Sequence, residues 1–160
     1  MADALLADEP VVRDGIAIAW TPPAVRYSLR TRVPSGLPRL LASARFADGH
    51  ALALGPDEWL LILPDGAQPP TIAPLHALTD IGHRNVGLTV AGDRAAALIQ
   101  CGCALDLSLA TFPPGKVTRT LYDGVEIVLW RTGEAEFRIE TWRSFAAYLH
   151  AALALAADDL

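Results

Sequence analysis

The sequence predicts an α+β fold of antiparallel sheets with helices packed on one face. Three observations carry that prediction. Short runs with apolar and polar residues in alternation outnumber runs with helical spacing. Neighbouring strand runs are mostly separated by tight turn signals, of which Asp123-Gly124 is the strongest, and such turns join antiparallel partners. No Gly-x-Gly-x-x-Gly fingerprint and no P-loop marks a nucleotide-binding strand–helix unit.

In chain order, residues 1–14 read as a loose acidic leader. Ile16 to Trp20 and Val25 to Val33 read as strands separated by Thr21-Pro-Pro. Leu37 to Ala44 reads as a short helix with Pro38 in its first turn, the one place a helix tolerates proline. Ala51 to Leu54 and Trp59 to Leu63 form a hairpin around Gly55-Pro-Asp-Glu. Pro64-Asp-Gly-Ala-Gln-Pro-Pro70 is the clearest linker, so a small N-terminal α+β lobe is expected over 15–70 and a second α+β lobe over 71–160.

Ile72 to Leu78 reads as a second short helix. Val86, Leu88 and Val90 alternate with Gly87 and Thr89, the period of a half-buried strand. Gly92 ends that strand, and Asp93 is placed to cap the helix that follows, which stops near Gly102. Val117 to Tyr122 and Val125 to Trp130 form the hairpin about Asp123-Gly124, and Gly133 turns the chain into Phe137 to Trp142. A final helix has Ser144 as its cap and Phe145, Tyr148, Leu149, Ala152, Leu153 and Ala156 at helical spacing.

Composition bounds the function. The chain is 160 residues long and 52% hydrophobic, enough for one packed core or two small lobes that share one. Its net charge is −5 and no Lys/Arg run is present, so nucleic acid is not an expected partner. The start, Met-Ala-Asp-Ala-Leu-Leu-Ala-Asp-Glu-Pro, lacks the basic opening of a signal peptide. Trp59 to Leu63 is too short to span a bilayer, so a cytoplasmic protein without membrane contact is expected.

Candidate chemistry is sparse. His83-Arg84 could orient an anion, but a histidine with no partner base or nucleophile is more often structural. Asp57 and Glu58 are adjacent in a strand turn, where side chains diverge, so Asp57 is assigned to the turn and Glu58 to a salt bridge or an interface. Cys101 and Cys103 lack both a common disulfide spacing and a four-ligand zinc pattern. Phe112-Pro-Pro-Gly-Lys116 reads as a rigid connector. Arg119, Arg131 and Arg138 are expected to interleave with Glu126, Glu134, Glu136 and Glu140 as exposed cross-strand pairs. Arg143 stands at the start of the last helix, where a cation opposes the helix dipole and hints at a partner contact.

Several separated motifs resemble one superfamily. Asp80-Ile-Gly-His83, Val90-Ala-Gly92-Asp-Arg-Ala95 and Leu98 look like the D-V-S-H … V-x-G-x-x-A-x-x-L element of glycine-cleavage T-protein-like, folate-binding domains, with Gly82 in place of the usual serine. Leu54-Gly-Pro-Asp-Glu-Trp-Leu60, Gly102-Cys-Ala-Leu-Asp-Leu107, Phe112-Pro-Pro-Gly115 and Trp142-Arg-Ser-Phe-Ala-Ala-Tyr-Leu149 resemble the gamma-subunit family of heterotetrameric sarcosine oxidases.

That resemblance implies a T-protein-like fold and a complex with alpha, beta and delta subunits. It also implies oxidative demethylation of sarcosine by that complex, with FAD, FMN, NAD and tetrahydrofolate held by other subunits and no cofactor or metal on this chain. No catalytic residue is assigned. The expected partner contacts are Trp59, Glu58, His83, Arg84, Trp130, Trp142 and Arg143. Folate-using relatives carry an Asp-Asp pair where Gly124-Val-Glu-Ile-Val-Leu-Trp130 has Glu126 alone, which argues against folate chemistry here. The competing readings are a stand-alone folate-binding module and a small thiol enzyme pairing Cys101 or Cys103 with His83.

Overall fold

The structure is a computed structural model that describes residues 9–33, 35–72 and 75–160. Eleven strands and two helices are found among them. Strands β1 (Val11–Arg13), β2 (Ile16–Trp20), β8 (Asn85–Ala91), β9 (Val117–Tyr122), β10 (Val125–Gly133) and β11 (Glu136–Trp142) form a six-stranded sheet in the order β1-β2-β8-β11-β10-β9. Strands β3 (Ala24–Thr31), β4 (Ser43–Phe46), β5 (Gly49–Gly55), β6 (Glu58–Pro64) and β7 (His76–Asp80) form a five-stranded sheet in the order β4-β5-β6-β3-β7. Every pairing is antiparallel.

Side-chain alternation builds the layers. In β10, Val125, Ile127 and Leu129 face helices α1 (Ala95–Gln100) and α2 (Arg143–Asp158), in a core with Leu98, Ile99, Leu149 and Leu153. Val128 and Trp130, in the opposite phase, meet Leu52, Leu60 and Ile62 of the other sheet. On β6, Leu60 and Ile62 join that inter-sheet core, while Trp59, Leu61 and Leu63 face away from it with Leu37 and Ile72 packed on them. Residues 59–63 of β6 and 127–130 of β10 are continuous apolar runs because both are covered on two faces. The helices therefore lie on one face of the six-stranded sheet, and the second sheet covers the other.

Turn chemistry fixes the register. Asp123 (φ 46°) and Gly124 (φ 80°) are both left-handed, the geometry of a two-residue hairpin turn. Gly92 has φ 120°, and a side chain there would collide with the carbonyl of Gly15 at 1.8 Å.

Several local expectations are corrected. Leu37 to Ala44 is not helical: Trp59 Nε1 donates to the Pro38 carbonyl at 2.9 Å, and the chain enters β4 at Ser43. Of the helix expected from Ile72 to Leu78, residues 76–78 are strand, since β7 pairs with β3 from His76 onward, and residues 73 and 74 lie outside the described residues. Within the expected leader, Val11–Arg13 pairs with β2, and residues 1–8 lie outside the described residues. Asp93 does not cap α1, whose cap residue is Arg94, and Ser144 does not cap α2, whose cap residue is Trp142. Each sheet also crosses residue 70, because β2 joins the six-stranded sheet and β7 the five-stranded one.

Candidate functional site

Charged side chains gather where the two sheets meet. Arg26 on β3 and Glu140 on β11 form a buried pair, with Nε donating to Oε2 at 2.5 Å and Nη2 to Oε1 at 3.3 Å. Their side chains are 5% and 1% exposed. Arg138 donates from Nε to Glu140 Oε1 at 2.8 Å, so one carboxylate serves two guanidiniums. The space comes from Gly87 on β8, where a Cβ would lie 2.6 Å from both Glu140 Oε1 and Thr21 Oγ1. A glycine inside a strand often marks such a close approach.

A second ionic chain lies nearer the surface. Glu58 Oε1 accepts from Arg119 Nη2 at 2.7 Å, and its Oε2 lies 3.3 Å from Arg30 Nη2. Arg119 also reaches Glu126 at 3.7 Å, and Arg30 reaches Asp57 at 2.8 Å. These pairs tie β6 of one sheet to β9 and β10 of the other. The Glu58 contact raises the Arg119 pKa further, so it stays a cation.

Between the sheets lies a cleft of about 260 Å3 that reaches Glu58, Arg84, Arg119, Glu126, Glu140 and Trp142. Its carboxylates are each already paired with arginine. Among the described residues, no group of three His, Cys, Asp or Glu is placed to hold a metal.

The sequence-derived contacts separate into two sets. Trp59 is 3% exposed and Trp130 is 7% exposed, so both rings belong to the interior. Glu58 is spent on its two arginines. His83 and Arg84 are exposed, in the turn that Asp80 stabilises by accepting the Gly82 N–H at 2.8 Å. Arg143 donates to the His83 carbonyl at 3.0 Å, and Arg84 lies over the Trp142 ring at 5.2 Å. His83, Arg84, Trp142 and Arg143 are thus brought together at one corner.

The two cysteines bond elsewhere. Cys101 Sγ bonds the Ala97 carbonyl, and buried Cys103 sits 3.8 Å from Thr120 Oγ1. The neighbouring Tyr122 is pushed up to about 12, mainly by burial, so its phenol stays protonated. Its ring packs within 2.8 Å of where a Cβ on Gly102 would stand, which explains the glycine after α1.

Arg131 is the residue that sequence reasoning misplaced. It is not an exposed cross-strand partner but 4% exposed, and it donates to four carbonyls. Nη1 bonds Leu107 at 2.7 Å and Phe112 at 2.9 Å, Nε bonds Gly133 at 3.1 Å, and Nη2 bonds Glu134. The guanidinium also lies 4.7 Å from the Phe137 ring centroid. It fastens the loop from Cys103 to Lys116 onto the sheet. Of the other expected pairs, Arg119–Glu126 forms across β9 and β10, whereas Arg138 and Glu140 pair along a single strand, β11, with the carboxylate buried.

His50 on β5 packs against Trp130 at 4.8 Å, and burial, then Arg45 and Arg138, lowers its pKa. The sign follows from linkage. Folding favours neutral His50, so its share of stability is whole above the unfolded value of about 6.5 and falls as pH drops toward the lowered native value. A His50→Asn variant should therefore lose less stability than the parent between pH 7 and 5. Urea titrations across that range check it, and parallel losses would contradict it.

With this geometry in hand, the comparisons with known proteins decide the family. The family described as "Sarcosine oxidase, gamma subunit family" matches residues 17–159. The chain belongs to that family. "Sarcosine oxidase subunit gamma" of Corynebacterium sp. (strain P-1) is 30% identical over 131 residues, covering 76% of this chain and 64% of the relative. Its namesake from Arthrobacter sp. is 29% identical over 120 residues, covering 70% and 59%. The chain thus spans about three fifths of the length of these curated relatives.

Among solved structures, a chain of the heterotetrameric sarcosine oxidase from Corynebacterium sp. U-96, in complex with pyrrole 2-carboxylate, superposes with a TM-score of 0.80 at 24% identity. The match covers 98% of this chain and 90% of that one. Glycine cleavage system aminomethyltransferase T from Bartonella henselae follows at TM-score 0.68 and 14% identity, covering 92% of this chain and 50% of that one. These likenesses establish the T-protein-like fold of the gamma-family chain. No helix among the described residues is long and apolar enough to cross a membrane.

Proposed function

We propose that this chain is a non-catalytic gamma subunit that supports assembly of a heterotetrameric sarcosine oxidase with alpha, beta and delta subunits. The complex converts sarcosine, O2 and water into glycine, formaldehyde and hydrogen peroxide, or yields methylene-tetrahydrofolate when tetrahydrofolate is present. FAD, FMN, NAD and tetrahydrofolate belong to the other subunits in this reading, and the complex works in the cytoplasm. The observation that carries it is the family match over residues 17–159, on a chain whose cleft at Glu58 and Glu140 has its carboxylates paired off.

The work of this chain is then structural. Two ionic clusters and a shared apolar layer hold its sheets together, and Arg131 holds its longest loop, so the outer surface is presented in one shape. The stand-alone folate module is disfavoured by Glu126, which is tied to Arg119.

A complex purified through a tag on this chain should contain flavin and release peroxide when given sarcosine. The isolated chain should do neither, and should show no saturable heat on titration with tetrahydrofolate. Saturable folate binding by the chain alone would replace the subunit reading with the module reading.

A further inference from the structure

Helix α2 is apolar on both of its sides. From Ser144 to Ala157 it contains no Asp, Glu, Lys or Arg. One side buries Ala146, Leu149, Leu153 and Ala157. The other leaves Phe145 42%, Tyr148 51% and Leu155 66% exposed. A helix that is hydrophobic all round is usually covered all round.

The exposed stripe continues off the helix at its N-terminal end. Trp142 is 42% exposed and stacks on Phe145 with ring centroids 6.2 Å apart. Arg84 lies over the Trp142 ring, and its Nε donates to Asn85 Oδ1 at 3.2 Å. Among the described residues no carboxylate pairs with Arg84, and the first turn of α2 contains no acid. A molecule of net charge −5 therefore presents an aromatic, cationic corner beside a largely apolar helix face, on which the Tyr148 hydroxyl donates to Asp123 Oδ2.

We propose that the face running from Arg84 and Trp142 along Phe145, Tyr148 and Leu155 is the docking surface for a partner subunit, which offers an apolar surface carrying a carboxylate for Arg84. The proposal rests on the gamma-subunit reading above and adds the face and its chemistry. Family membership selects the occupant, a different subunit of the oxidase, and Arg84 sets its chemistry. A second copy is the competing occupant, because antiparallel pairing of α2 would bring Asp158, held by Arg13 at 2.8 Å, and the exposed Asp159 toward Arg84, and the cross-link below separates the two. Aromatic and arginine anchors are also the side chains that concentrate binding energy at interfaces.

The test uses the full chain, tagged and co-expressed with the other subunits of the oxidase. A photo-cross-linking phenylalanine analogue placed at position 145 should join it to a partner-subunit peptide containing Asp or Glu. Phe145→Glu combined with Tyr148→Glu, and separately Arg84→Glu, should each weaken assembly by about tenfold or more, as loss of an interface anchor does. Leu109→Glu, at an exposed residue elsewhere, should leave assembly unchanged.

Unfolding of a variant leaves the cross-link as the deciding readout. Wild-type assembly with no cross-link at 145 and undiminished assembly of the variants overturns the face but leaves the subunit reading standing. A cross-link from one copy of the chain to another overturns it in favour of self-association. A wild-type chain that captures no other subunit overturns both the face and the reading beneath it.

Discussion

Arg131→Met should lower the melting temperature by roughly 10 °C or more, from a loss of about 3–5 kcal/mol. The change keeps a long side chain of similar volume but removes the donors to Leu107, Phe112, Gly133 and Glu134. Hydrogen bonds to a charged donor each contribute about 1.5–3 kcal/mol, and buried carbonyls left without a donor carry a desolvation cost. Arg131→Lys should recover part of the loss, because an ammonium has three donors but not the flat fork that reaches four carbonyls. Differential scanning calorimetry of the three chains checks this. A fall of only a few degrees for the Met variant would mean that the Cys103–Lys116 loop holds itself.

Removing Glu140 should be at least as damaging. Glu140→Ala strands Arg26 and Arg138 beside each other without their shared anion, and breaking one side of a buried pair costs about 3–5 kcal/mol. Gly87→Ala should reach the same end from the opposite strand, since its methyl group would press on Glu140 Oε1 at 2.6 Å. If packing alone were at stake, Glu140→Gln would be harmless. The ion-pair account expects Glu140→Gln to be clearly destabilised, with the loss much reduced when Arg26 is also replaced by Met. A double-mutant cycle in urea separates the two, and additive losses would contradict coupling across the sheets.

The ease of reading differed from element to element for physical reasons. The β9–β10 hairpin was legible because Asp123-Gly124 fits a turn with both residues left-handed. The outline of α2 was legible from its apolar spacing. Helices expected at Leu37–Ala44 and Ile72–Leu78 failed because leucine and alanine favour helices locally, whereas tertiary pairing decided otherwise. β7 is exposed along most of its length and is held by its ladder with β3, so it carries no alternation to find.

The same holds for the charged groups. Arginine in a strand reads as surface, and nothing local showed that Arg26 and Arg131 turn inward. The available signal was Gly87, a glycine in the middle of a β-branched strand run, which marked the close approach of Glu140. Trp59 and Trp130 read as interface aromatics but fill the interior, so Trp59→Glu would test folding rather than assembly. The corner of His83, Arg84, Trp142 and Arg143 comes from two segments distant in the chain, which Arg143 and the Arg84–Trp142 contact bring together.

The most direct test of the central claim is native mass spectrometry of the sarcosine-oxidising complex, followed by gas-phase release of its smallest chains. The account predicts that this chain is present in the complex and leaves at its bare mass of 17.1 kDa, with flavin and folate retained by the larger chains. A chain that leaves carrying a flavin or folate, or a fully active complex from which it is missing, would contradict the account.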